Sequence, residues 1–189
     1  DSNEEDYSKV IVHKPWGYEY LLYGNKKVSV WILQINYNQQ TSMHCHPNKK
    51  TTIFILSGKA EISLIGKNYK VAAGDCFLLE KKVFHRTKAL NKKGVLVMEL
   101  ETPVCKKDLV RLSDNYGREN QGYENKHFMV PKPKELNQNL SKETSLGEYL
   151  LQIKKFPLNF DPDVLNEVIY YNLGEVNKKI EILCIRKKP

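Results

Sequence analysis

Between Tyr18 and Thr102 the sequence repeats one device: a short apolar run closed by a turn, with no helical period in between. Val28–Ile35 is dense in β-branched and aromatic residues, and Thr52–Leu56 is a second such run, closed by Ser57-Gly58. Ala60–Ile65 alternates apolar with polar residues, as a half-buried strand does. Gly66-Lys67-Asn68 then turns the chain into Tyr69-Lys70-Val71, a hairpin signal. Gly74-Asp75 precedes Cys76–Leu79, and Gly94 precedes Val95–Leu100. Strands this short, recurring at intervals of roughly 8–12 residues, predict an antiparallel sandwich or barrel.

The pattern changes after Pro103. Lys107–Leu112 has the look of a helical turn or two, ended by Asn115-Tyr116-Gly117-Arg118, and the polar stretch 119–142 suits a loop or strap. Ser145 with Glu148 makes a capping box for a short helix reaching Lys154. Asp161-Pro162-Asp163 opens a second helix through Leu173, stopped by Gly174, and Ile180–Ile185 is a strand. The expected organisation is a barrel over 13–104 followed by a mixed α/β extension over 105–189.

Composition narrows the function classes. At 41% hydrophobic and 28% charged, the chain has the balance of a soluble globular protein. Folding at this length buries roughly 70% of the unfolded surface, so no disulfide or metal is needed merely to hold a core. No apolar stretch reaches the roughly 18 residues of a membrane span. The opening Asp1–Asp6 lacks the basic and apolar regions of a secretion signal. With Cys45, Cys76, Cys105 and Cys184 far apart and in no C-x-x-C pair, the expectation is reduced thiols in a cytoplasmic protein. The net charge of +8 comes from 30 basic against 22 acidic side chains. The lysines are scattered pairs such as Lys26-Lys27, Lys49-Lys50 and Lys106-Lys107, where a polynucleotide site would concentrate them on one stripe beside aromatics. Nucleic acid is therefore not the expected partner. A small anion needs only a few of these charges.

Three of the five histidines fall where a metal would want them. His44 and His46 are two apart within a strand-like stretch, which turns both side chains to one face, and His85 opens another strand. Imidazoles at i and i+2, joined by a third from a neighbouring strand, can reach one cation at about 2.0–2.1 Å each. The same pair can equally be surface histidines or unrelated core ones.

These residues resemble the cupins. The first cupin motif, G-x5-H-x-H-x3/4-E-x6-G, is matched by His44-Cys45-His46, Thr51 and Gly58, with Asn38 in place of the opening Gly. The second, G-x5-P-x-G-x2-H-x3-N, is matched at Gly74 and His85, with Glu80, Lys82 and Ala89 at its Pro, Gly and Asn. Within the cupins the sequence is most similar to the cupin domain of type II mannose-6-phosphate isomerases, which in bacteria is often fused to a mannose-1-phosphate guanylyltransferase. Lys14-Pro15-Trp16-Gly17 resembles their R-P-W-G, Ser57-Gly58-Lys59-Ala60 their S-G-T-A, and Lys107–Arg118 their D-D-I-V-R-L-E-D-x-Y-G-R. The resemblance spans about residues 13–118. It implies an all-β cupin double-stranded β-helix, or jelly roll, and one divalent ion (Zn, Fe, Mn or Ni) on His44, His46 and His85. It also implies a sugar or sugar-phosphate substrate, an isomerase or epimerase activity in surface-carbohydrate metabolism, and a homodimer.

The departures bear on the reaction. The metal-binding Glu of the family is Thr51 here, a Gln is His44 and an Arg is Lys49. A hydroxyl is a poor ligand beside a carboxylate, and an ammonium does not replace a guanidinium fork. Isomerisation needs a base and an electrophile. Glu99 and Glu101, on one strand face, are the candidate catalytic carboxylates together with Lys49, although both also fit as solvated strand residues. Arg86, Arg111 and Arg118 are candidate phosphate partners, or else surface charges. Trp16 is a candidate sugar platform, as are Trp31 and Tyr18, or else core. The alternatives to an isomerase are a non-catalytic sugar-nucleotide-binding or regulatory cupin, and a three-histidine iron dioxygenase.

Overall fold

Evenly alternating runs of β-branched and aromatic residues, too short to wind into stable helices, make this chain a set of strands. The computed structural model describes residues 6–165 and 169–189. These fall into two units, one extending to Lys134 and one from Glu135 to Pro189.

The first unit contains β1 (Val10–Lys14), β2 (Gly17–Gly24), β3 (Ser29–Ile35), β4 (Met43–Cys45), β5 (Lys50–Ser57) and β6 (Lys59–Leu64). It continues with β7 (Lys67–Ala72), β8 (Cys76–Leu79), β9 (His85–Ala89), β10 (Val95–Thr102), β11 (Val110–Ser113) and β12 (Met129–Pro131). One sheet runs β12-β1-β2-β3-β10-β5-β8 and the other β11-β4-β9-β6-β7. From β3 to β11 the chain changes sheet at nearly every step, which is the winding of a jelly roll. Inward residues of both sheets, among them Trp31, Ile35, Ile53, Ile62 and Val97, share one buried cluster with Trp16 from the turn between β1 and β2. Each such side chain contributes about 1.5–3 kcal/mol by leaving water. Gly17 permits the close approach of β2 to β3: a Cβ there would lie 1.9 Å from the Gln34 carbonyl oxygen.

The cupin motif positions also show in the backbone. Gly58 and Gly74 have positive φ, and the two positions where the motif's glycine is replaced do the same, Asn38 at 62° and Lys82 at 63°. Asn tolerates this conformation and Lys less so, at a cost of about 1–2 kcal/mol for the latter. The turn geometry thus persists without the glycine.

Beyond the barrel strands, several expectations are corrected. Val110–Ser113 is not helical but pairs with β4, placing Arg111 opposite His44. Residues 105–134 belong to the first unit, and within the expected strap Met129–Pro131 pairs with β1.

The second unit is not mixed α/β. Its strands β13 (Thr144–Leu146), β14 (Tyr149–Phe156), β15 (Ile169–Val176) and β16 (Lys179–Lys187) form an antiparallel sheet in the order β13-β14-β16-β15. Ser145 and Glu148 cap no helix: Gly147, at φ 58°, reverses the chain between two paired strands. The helix expected over 161–173 is a 3-10 turn at Pro162–Val164 followed by β15, with residues 166–168 outside the described residues. Gly174, expected as a helix stop, sits at a β-bulge opposite β16. Ile180–Ile185 is a strand as expected. Among the described residues no helix is long and apolar enough to cross a membrane.

Candidate metal centre

β4 and β9 are neighbours with His44 directly opposite His85, and His46 follows at the end of β4. Lys82, in the turn before β9, donates its backbone N–H to the His46 carbonyl, which ties the second motif to the first. The three rings gather with centroids 4.4 to 5.6 Å apart.

Each ring is oriented through Nδ1. His44 Nδ1 lies 2.8 Å from the Ser42 carbonyl, His46 Nδ1 2.6 Å from that of Asp108, and His85 Nδ1 2.9 Å from that of Val83. A carbonyl can only accept, so Nδ1 carries the proton in all three and Nε2 keeps its lone pair. Outer hydrogen bonds of this kind are the usual way a protein fixes the tautomer of a metal-binding histidine. Burial, reinforced by the other two imidazoles, holds His44 well below the usual histidine range. Burial likewise lowers His46, with Lys49 adding to it, and takes His85 down to about 4 against the hydrogen bond that its Nδ1 donates to the Val83 carbonyl. All three are therefore neutral at pH 7, the state in which they ligate.

The donor set fits a divalent ion. One ligand atom from each histidine lies within 4.8 Å of the others, and His85 Nε2 is buried with no hydrogen-bond partner in the protein. Leaving a buried acceptor unsatisfied costs about 1–3 kcal/mol, which a bound cation relieves. Thr51 faces Glu101 across β5 and β10, so the two project from the same side of the sheet. Its Oγ1 is also buried and unpartnered.

Residues 31–101 match the family model of the cupin domain. The jelly-roll winding, the motif turns and the three histidines all lie in or beside this stretch. Among solved structures, parts of the chain resemble KdgF from Halomonas sp., with TM-score 0.45 and 17% identity over 49% of this chain and 84% of that one. They also resemble a putative sugar phosphate isomerase from Acidithiobacillus ferrooxidans (TM-score 0.39, 18% identity, 41% of this chain and 51% of that one). A third is the oxalate decarboxylase of Lactobacillus farciminis (TM-score 0.49, 14% identity, 54% of this chain and 33% of that one). The chain thus spans about half the length of the second of these proteins and a third of the last. No curated protein sequence matches it.

Beside the histidines of the barrel lies a cavity of about 50 Å³, lined in part by Trp16, Lys49, Glu99, Glu101, Arg111 and Arg118. Arg86 is not in that lining; it follows His85 along β9 and so projects from the opposite face. Trp16 is buried in the core cluster with only 3% of its surface exposed. Lys49 is fully buried and donates to Glu101 Oε2 at 2.8 Å. Glu99 and Glu101 have opposite fates. Burial, and then the Glu101 charge, raise Glu99 well above the usual carboxylate range. Burial would raise Glu101 as well, but Lys106 and Lys49 outweigh it and hold that carboxyl low.

Several residues of the site carry no signal in the sequence. Asp108 fixes His46 through its carbonyl, and its carboxylate takes the backbone N–H groups of Asn48 and Lys49. Glu19 pairs with Lys106 at 2.9 Å and with Lys14 at 3.5 Å, and accepts the Tyr123 hydroxyl. Lys106 is no solvated turn lysine: its Nζ lies 3.5 Å from the centre of the Trp31 ring. Only the family-like segment Lys107–Arg118 hinted that this stretch takes part.

Proposed function

We propose that the cupin barrel is a metal-dependent isomerase or epimerase of a sugar or sugar phosphate. The observation that carries the reading is a pair of buried carboxyls, Glu99 and Glu101, the second ion-paired to Lys49, lining one cavity beside three convergent imidazoles. His44, His46 and His85 would hold the ion, and a bound divalent cation supplies an electrophile for a developing oxyanion.

The protein's own groups divide the proton work. Glu101, ionised and held by Lys49, accepts the proton from the carbon next to the substrate carbonyl. Glu99, protonated at neutral pH, delivers one to the carbonyl oxygen. Return of the carbon-derived proton to the neighbouring carbon, while Glu99 takes a proton from the hydroxyl that becomes the new carbonyl, gives the isomer. Its return to the other face of the same carbon, while Glu99 takes back the proton it gave, gives the epimer, and both carboxyls are restored. Carboxyls pushed apart in this way by their surroundings are a recurring acid–base arrangement. Lys106 and Lys14 keep positive charge around the site, which favours an anionic substrate.

The experiment is proton exchange. Metal-loaded protein in D2O is incubated with hexose and heptose phosphates and followed by NMR. Loss of a carbon-bound proton next to the carbonyl supports the reading, and Glu101→Gln should abolish it. Absence of exchange with every substrate, in protein shown to hold its ion, rejects it in favour of a binding cupin.

A further inference from the structure

The carboxylate of Glu124 occupies a cradle of three buried cations. Arg118 donates to Oε1 at 2.6 Å, Arg111 to the same oxygen at 3.1 Å, and Lys14 to Oε2. Side-chain exposures are 3% for Arg111, 4% for Lys14, 5% for Glu124 and 9% for Arg118. Glu124 lies on the irregular stretch between β11 and the 3-10 turn at Lys126–Phe128, so no strand pairing holds it in place. Arg118 is fixed from the other side by Asp114, and Arg111 by the carbonyls of Gln121 and Gly122. Arg118 thus keeps Asp114, and Lys14 keeps Glu19 at 3.5 Å, whether or not Glu124 is present, while Arg111 is held by the backbone of the stretch that carries Glu124.

Arg111, Arg118 and Tyr123 form a wall with space on both sides. On one side is the histidine cavity, and on the other a cavity of about 530 Å³ that Glu124 also lines. A volume of several hundred Å³ is that of a small-molecule pocket. We propose that Lys14, Arg111 and Arg118 form a phosphate-binding site that Glu124 fills until a phosphate monoester displaces it. Glu124 asks one oxygen to serve both arginines. A phosphate offers a separate oxygen to each of the three donors and a second negative charge, so it satisfies the cradle better than the carboxylate it replaces. The exchange keeps the buried cations paired throughout and leaves Glu124 free to return to water. The identity of the ligand rests on the sugar-phosphate reading above; the cradle itself does not depend on the metal.

The test titrates inorganic phosphate calorimetrically into metal-stripped protein. Removing the internal competitor by Glu124→Gln should tighten phosphate binding about tenfold, as expected when a site becomes free of a competing state. Acetate serves as the carboxylate arm and should gain less. A folded Glu124→Gln protein with no gain for phosphate overturns the proposal, and an equal gain for acetate overturns the preference for phosphate. Should the variant fail to fold, wild-type protein decides. Cleavage after Glu124 by a glutamate-specific protease, scaled to a free peptide of the same sequence, should speed up severalfold as phosphate is added, and an unchanged rate overturns the displacement. Neither readout uses metal or turnover, so a failed isomerase assay leaves both standing, and failure here leaves the proton-exchange result intact.

Discussion

His44 and His85 stand directly opposite each other on β4 and β9, ring centroids 4.4 Å apart, each with Nδ1 committed to a backbone carbonyl. Two imidazoles held this close in the interior are unfavourable when charged and useful when neutral. Their coordinating nitrogens therefore define the centre, and the residue that departs most from the cupin motif, Thr51, can be used to probe it.

Thr51→Glu restores the carboxylate of the motif at a position that faces the same side as Glu101. Without metal, a buried extra carboxylate should destabilise the protein, and a divalent ion should recover the loss. Metal affinity, measured by competition with a chelator, should rise about tenfold as a hard anionic ligand joins three neutral ones. An affinity unchanged in a folded variant would place Thr51 outside reach of the ion.

Lys49 and Glu101 form a buried pair at 2.8 Å. Removing Lys49 leaves the buried Glu101 without its hydrogen-bonded cation and with only the Lys106 charge opposing burial, so Lys49→Met should cost about 3 kcal/mol in denaturant unfolding, the low end for breaking a buried pair. Lys49→Met combined with Glu101→Gln should recover more than half of that. Additive losses would show that the two side chains do not act as a pair.

Glu19 gives a pH prediction. Burial alone would raise its pKa, but Lys106 and Lys14 outweigh it and bring the carboxyl down to about 2 from an ordinary 4.5. A carboxyl lowered in the folded state contributes stability that is complete above its unfolded value and is lost as pH falls through the folded one. The window is therefore pH 4.5 down to about 2, and the contribution is on the order of 3 kcal/mol. Unfolding free energies across that window should fall less steeply in Glu19→Gln than in wild type, and parallel curves would contradict the assignment.

Legibility in the sequence followed the range of the interaction. The barrel strands show because alternation is local: Ala60–Ile65 and Val95–Leu100 carry their own periodicity. The histidines show because H-x-H places two donors on one face by strand geometry alone. The second unit misleads because Ser145 with Glu148, and Asp161-Pro162-Asp163, are turn chemistry as much as helix-start chemistry. Only pairing with β16 decides between the two. The charged surroundings are hidden for a different reason. Lys14 and Glu124 meet across a separation of 110 residues, and although Lys14 opens a family-like tetrapeptide, nothing in either neighbourhood pairs the two. Lys106 resembles the exposed lysine pairs around it until Trp31 and Glu19 are brought beside it by the fold.

The central claim is that three neutral imidazoles grip one ion, and metal content tests it most directly. Protein purified without an affinity tag and dialysed against a mixture of divalent metals should carry about one ion per chain by elemental mass spectrometry. His44→Ala, His46→Ala and His85→Ala, each shown to be folded by circular dichroism, should each lose it. Folded variants that retain a full complement of metal, or wild-type protein that takes up none, would contradict the account.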